Sequence, residues 1–144
     1  MGLDCSHDAF HGAYSAFNSF RQEVAHAIGG SYPSHWKRDE SGKIIQPLRR
    51  NEDLDDNRWY WGDQGYSQEA NPGLFEFFCH SDCDGEISPE MCKIVADELD
   101  PLLEKMPSES CGHILGRGGY RQVLQYFIDG CRAAHAANEP LDFH

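Results

Sequence analysis

Three stretches of this chain bring together residue types that bind or react. The first runs Cys79-His80-Ser81-Asp82-Cys83-Asp84-Gly85-Glu86-Ile87-Ser88-Pro89-Glu90. With Gly85 taken as the turn glycine of an EF-hand loop, Asp82 and Asp84 fall on two calcium-ligand positions and Ile87 on the apolar one. His80 then stands where the first Asp belongs and Met91 where the bidentate Glu belongs, with Glu90 one residue early. A softer ion such as zinc would use Cys79, His80 and Cys83, with His113 or Cys111 as a distant fourth ligand. The plainer alternative is a sharp acidic turn whose aspartates cap the next helix.

The second stretch is Gly116-Arg117-Gly118-Gly119-Tyr120-Arg121. Three glycines let backbone N–H groups converge, a helix start adds partial positive charge, and two guanidinium forks supply donors, which together outline an anion cradle. It lacks the Lys-Ser/Thr ending of a Walker loop, and a glycine-rich turn that merely starts a helix fits as well. The third is Trp59-Tyr60-Trp61-Gly62-Asp63-Gln64-Gly65-Tyr66, beside the acidic run from Glu52 to Asp56. Trp59 and Trp61 suit stacking on a flat ring and Asp63 the reading of its edge; the alternative is that these rings close a core beneath the loop. A further pair, His7 and His11, lies four residues apart beside Asp4 and Cys5. That spacing suits a divalent metal such as zinc, or a structural pair; no H-E-x-x-H motif accompanies it.

The elements that position these groups follow from apolar periodicity. Phe10, Ala13, Tyr14, Phe17, Val24 and Ile28 recur at helical spacing, predicting a helix over 8–28 with Ser6 or Asp8 as cap and Gly29-Gly30 as stop. Residues 31–68 are rich in Pro, Gly and charge, predicting a long irregular excursion with a small hairpin. Asn71-Pro72 predicts a short helix through Phe78, where a buried strand fits the short apolar run almost as well, and Ser88-Pro89 a second helix, on which Pro101 kinks or ends the regular part. A last helix is predicted over 119–137. The expected fold is mainly α: about four helices around one core, in a single domain over 1–144, with the long insertion after the first helix.

Composition narrows the function classes. The chain has 144 residues, 40% hydrophobic and 12% aromatic, with a formal net charge of -12. Residues 51–100 alone carry 14 Asp and Glu against Arg58 and Lys93. Duplex nucleic acid, whose affinity comes from Lys and Arg on phosphates, is therefore a poor partner. No run of about 18 apolar residues predicts a membrane span, and the first ten residues do not read as an export signal. The six cysteines are accordingly expected as thiols, Cys92 and Cys131 on buried helical stripes.

MGLDCSHDAFHGAYSAFNSFR at the start, HSDCDGEIS in the middle, GRGGYRQVLQYFIDGCR and a final Leu-Asp-Phe-His resemble a family of small, mostly uncharacterised bacteriophage accessory proteins. The resemblance covers about the first 28 and last 60 residues. It implies a cytoplasmic protein of the infected bacterial cell and a counter-defence role, such as sequestering a host nucleotide signal, and it transfers no active site.

The leading expectation is a non-catalytic protein that binds a small anionic, nucleotide-like ligand, as a homo-oligomer if the pocket forms between subunits. Arg117, Gly118, Gly119, Tyr120 and Arg121 would hold phosphate, with Trp59, Trp61 and Asp63 on the base. Two alternatives stand beside it. One is a metal-dependent hydrolase, with zinc or calcium held among His7, His11, His80, Asp82, Cys83 and Asp84. The other is an acidic protein-interaction module.

Overall fold

The computed structural model describes residues 2–30, 32, 36–38, 40–41, 44–47, 61, 65–106 and 119–144. Phe17, Phe20 and Val24, one face of α1 (Tyr14–Ala27), have no exposed surface. The helix starts later than its periodicity predicts. Residues 8–13 instead complete a 3-10 turn at Ser6–Asp8 and form β2 (His11–Ala13), antiparallel to β1 (Gly2–Asp4), with Asp4 opposite His11. Gly12 lowers the helical preference of this stretch, and Leu3 alternates into the core with strand period. Phe10 still reaches Phe17, at 5.0 Å between ring centres, so its apolar spacing carries a core contact made from outside the helix. Neither Ser6 nor Asp8 caps α1; the cap position is Ala13.

Within the excursion, β3 (Trp36–Arg38) and β4 (Ile44–Pro47) pair as the expected hairpin, with a register shift between Lys37 and Arg38. The helix α2 (Pro72–Cys79) begins at proline, and the backbone N–H groups of Gly73 and Leu74 donate to the Glu98 carboxylate at 2.9 and 3.1 Å. That carboxylate comes from α3 (Pro89–Leu99), itself capped by Ser88 Oγ, which accepts from Met91 N at 3.2 Å. A Cβ on Gly73 would lie 2.7 Å from the Ile94 carbonyl oxygen, so glycine lets the two helices touch. Pro101 turns the chain into a 3-10 segment at Asp100–Lys105, and α4 (Gly119–Ala137) follows the sequence expectation.

One apolar cluster draws on all four helices. Phe17 is its hub: Phe10, Phe20, Phe77, Phe127 and Phe143 all lie within 6.1 Å, mostly edge-to-face. Such pairs contribute about 0.5–1.5 kcal/mol each beyond their burial. Beside them the Arg21 guanidinium sits 4.4 Å above the Phe17 ring with only 4% of the residue exposed. It donates to Tyr32 Oη at 2.9 Å and to the carbonyls of His80 at 2.5 Å and Phe78 at 3.4 Å, placing a cation at the negative end of α2.

The segment Leu141–His144 ties the layers together. Its β6 (Leu141–Asp142) pairs with β5 (Glu86–Ile87), Phe143 N donates to Gly85 O, and His144 exchanges backbone bonds of 2.7 and 3.0 Å with Asp4. Among the described residues no helix is long and apolar enough to cross a membrane.

Candidate functional site

The hairpin register sets Asp4 and His11 opposite one another, and Asp4 Oδ1 accepts from His11 Nδ1. The other ring nitrogen, Nε2, donates to Asp8 Oδ1 at 3.1 Å. A carboxylate only accepts, so bonds to carboxylates on both sides of the ring favour its doubly protonated form. Hydrogen bonds to Asp4 and then Asp8 accordingly raise the His11 pKa above its ordinary value. Across Asp4, His144 Nε2 lies 3.9 Å from Oδ2.

The turn that presents Asp8 is strained. His7 and Asp8 both have φ of 57°, the left-handed region, which costs non-glycine residues about 1–3 kcal/mol each. Several contacts offset that cost. Cys5 N donates to Phe10 O at 2.8 Å, Ala9 N to Ser6 O at 3.2 Å, and His7 Nε2 sits 3.4 Å from Glu139 Oε1. Ala9 packs onto α4 at Gly130, where a Cβ would lie 2.4 Å from the Ala9 methyl.

Against this turn opens a cavity of about 210 Å³. Ala9, Phe10, Ala16 and Val123 give it an apolar body, while Asp8, His11, Gln122 and Tyr126 bring polar atoms to it. Tyr126 is 57% exposed although large and aromatic. Gln122 and Val123 lie in the first turns of α4, directly after the Gly116–Arg121 stretch in sequence. The cavity thus joins an apolar slot and the Asp8–His11 pair beside the early turns of α4.

The other expected groups fall elsewhere. Arg117, Gly118, Trp59 and Asp63 lie outside the described residues. Gly119 is buried at the start of α4 with φ of 60°, and Tyr120 packs against the core. Arg121 donates from Nε and Nη2 to Met106 O at 3.1 and 2.9 Å, bracing the end of the 3-10 segment. Trp61 meets Phe78 edge-on at 6.1 Å, so this ring covers the core, the alternative weighed for the aromatic loop.

His7 and His11 part company: the first turns to Glu139, the second to Asp4 and Asp8. In the acidic loop, Nδ1 of His80 is 2.8 Å from Ser81 O and Nε2 is 3.1 Å from Glu86 O. The ring also packs at a tilt against Phe143, 4.0 Å between ring centres, and overlies Gly85. An imidazole therefore reaches the carbonyl at the loop's seventh position, which would face calcium in an EF-hand. Asp84 Oδ1 accepts from Ser81 Oγ at 2.7 Å, Ser81 Oγ lies 3.5 Å from Cys83 Sγ, and Ser88 rather than an aspartate caps α3. Among the described residues no three His, Cys, Asp or Glu side chains are grouped as a metal ion requires.

The five described cysteines are thiols, with Cys5, Cys92 and Cys131 buried. Burial, then Asp4, push Cys5 up to about 12, which makes it a poor nucleophile. Residue types alone had pointed to His7 and His11. They do not reveal Gln122, Tyr126 or the pairing of Asp4 with His11, which depend on the register of the β1–β2 hairpin and on a long-range helix contact. Comparison with known proteins adds no relative: no protein-family model, no curated protein and no solved structure matches this chain.

Proposed function

We propose that this protein binds a small nucleotide-like ligand in the cavity between the Ser6–His11 turn and α4. The observation that carries the reading is the cavity itself: an apolar slot for a flat ring, polar side chains among its lining, and residues of the early turns of a 19-residue helix beside them. The ligand's anionic end would lie toward that helix's amino terminus, where the helix dipole favours negative charge. The sequence entering the helix there is Gly116-Arg117-Gly118-Gly119. A chain of net charge -12 repels anions at long range, but screening over about 8 Å at physiological salt leaves local donors effective.

The resemblance to phage accessory proteins supports a host signal nucleotide as ligand, captured in the cytoplasm of an infected cell. Native mass spectrometry against a panel of cyclic, ADP-ribose-type and simple nucleotides tests this and counts subunits. A stoichiometric adduct is expected, weakened at least tenfold by Tyr126→Ala or Gln122→Ala with circular dichroism unchanged. No adduct with any nucleotide, or adducts indifferent to both variants, would overturn the reading.

A further inference from the structure

We propose that Asp8 makes this cavity selective for guanine, its carboxylate accepting from the two adjacent donors of that base, N1–H and the 2-amino group. The inference rests on the nucleotide reading and names the base.

Size sets what the cavity holds. At about 210 Å³ it exceeds the roughly 150 Å³ that takes a benzene ring and falls short of the roughly 300–1,000 Å³ that encloses a drug-sized ligand. It suits one base, with sugar and phosphate outside. The polar edge of that base is then read by the polar side chains of the lining, Asp8, His11, Gln122 and Tyr126.

Their donors and acceptors choose among the bases. Both ring nitrogens of His11 are engaged, by Asp4 and Asp8, so the ring has no N–H left for a ligand. The Asp8 carboxylate has about four acceptor positions, and His11 Nε2 fills one at 3.1 Å. Among the described residues nothing else bonds to that carboxylate, and its side chain is 96% exposed, so the other positions are open with Asp8 where it stands. Guanine alone of the common bases carries two adjacent N–H donors on its Watson–Crick edge, one for each oxygen of a carboxylate. Adenine and cytosine set a ring-nitrogen lone pair beside a single amino group, and uracil flanks one N–H with two carbonyls. Each of these would turn an acceptor toward Asp8 and be disfavoured. Guanine O6, next to N1–H, needs a donor, which the Gln122 amide or the Tyr126 hydroxyl offers; neither side chain has a hydrogen-bond partner among the described residues.

The turn holds Asp8 ready for this. Its φ of 57° is kept in place by the bond from Cys5 N to Phe10 O and by Ala9 against Gly130, while His11 fixes the carboxylate. An acceptor ordered before the ligand arrives costs less to immobilise on binding, and strain of this kind gathers at ligand sites.

The test is isothermal titration calorimetry on wild type and Asp8→Asn with the 5′-monophosphates of guanosine, inosine, adenosine, cytidine and uridine, beside native mass spectrometry with the wider nucleotide panel. Wild type should bind the guanosine form at least about tenfold more tightly than the inosine form, which lacks only the 2-amino group, and than the other three. Asparagine also accepts a left-handed φ, so Asp8→Asn keeps the turn but has one acceptor oxygen in place of two. In that variant the guanosine-to-inosine ratio should fall to near unity, whereas a merely structural role would weaken every nucleotide alike. Nucleotide adducts with no guanine preference in wild type, or a preference that Asp8→Asn leaves intact, would overturn this inference and leave the binding reading standing. The absence of an adduct with any nucleotide would overturn the two together.

Discussion

The Ser6–His11 turn and the His80–Ser88 loop are made of the same materials, histidine, aspartate, serine and cysteine around a tight bend, and they end in opposite states. In the loop, both ring nitrogens of His80 face backbone carbonyls, the ring packs against Phe143, and Asp84 is engaged by Ser81. Its polar groups are spent on holding a bend between α2 and α3. In the turn, His11 faces two carboxylates beside an open cavity, and the backbone carries strain at His7 and Asp8. The difference teaches that histidine and acid in one stretch do not mark a site. What surrounds the imidazole decides it: His80 is packed between carbonyls and the Phe143 ring, while His11 pairs with carboxylates beside a cavity. The same segment, Leu141–His144, braces both, through Glu86 and Ile87 on one side and Asp4 on the other.

The hardest way to break the comparison is from beneath the loop. Arg21→Ala removes the donor that holds the carbonyls of Phe78 and His80 and leaves Tyr32 without that partner. A loss of about 3 kcal/mol is expected, read by chemical denaturation; a loss within the range of an ordinary surface substitution would contradict the structural role given to the loop. Gly130→Ala strikes the turn instead, by driving a methyl into Ala9. Overpacking, offset in part by better helix propensity, should cost about 2 kcal/mol and abolish nucleotide binding at temperatures where the protein remains folded. Retained binding at full strength would separate the turn from the cavity.

The subtlest contrast is with pH. Because Asp4 and Asp8 raise the folded-state pKa of His11, its contribution to stability is fully present below the unfolded value of about 6.5 and is lost as pH rises through the higher folded value. The melting-temperature gap between wild type and His11→Gln should therefore be widest in mild acid and close on the alkaline side. A gap that widens with pH would show that the ring is not held as an imidazolium.

Much of the fold was legible because local chemistry and global packing agree. Pro72, Ser88-Pro89 and Pro101 mark helix boundaries that the structure respects, and Cys92 and Cys131 lie on the buried stripes their spacing implied. The start of α1 lies beyond the point its apolar spacing predicts, because Phe10 keeps helical spacing while reaching the core from the β1–β2 hairpin and Ala13 lies exposed on β2. The site was less legible. His11 was a candidate through its distance from His7, yet the two face different partners, and its true neighbour, Asp4, is set by strand register. Gln122 and Tyr126 carry no motif at all; they count because α4 packs against the turn through Gly130. Nothing in the sequence marks Arg21, since a charged residue within an amphipathic helix ordinarily faces water, whereas this one lies on the Phe17 ring.

The central claim, that the working surface is the cavity beside His11 and not the acidic loop, is tested most directly by backbone amide chemical-shift mapping with the nucleotide that gives the strongest adduct. The account predicts shifts concentrated at residues 8–16 and 119–126, with Ser81–Ser88 unmoved apart from small effects relayed through β5 and β6. Shifts centred on Ser81–Ser88, with Asp8, His11 and Gln122 silent, would contradict it.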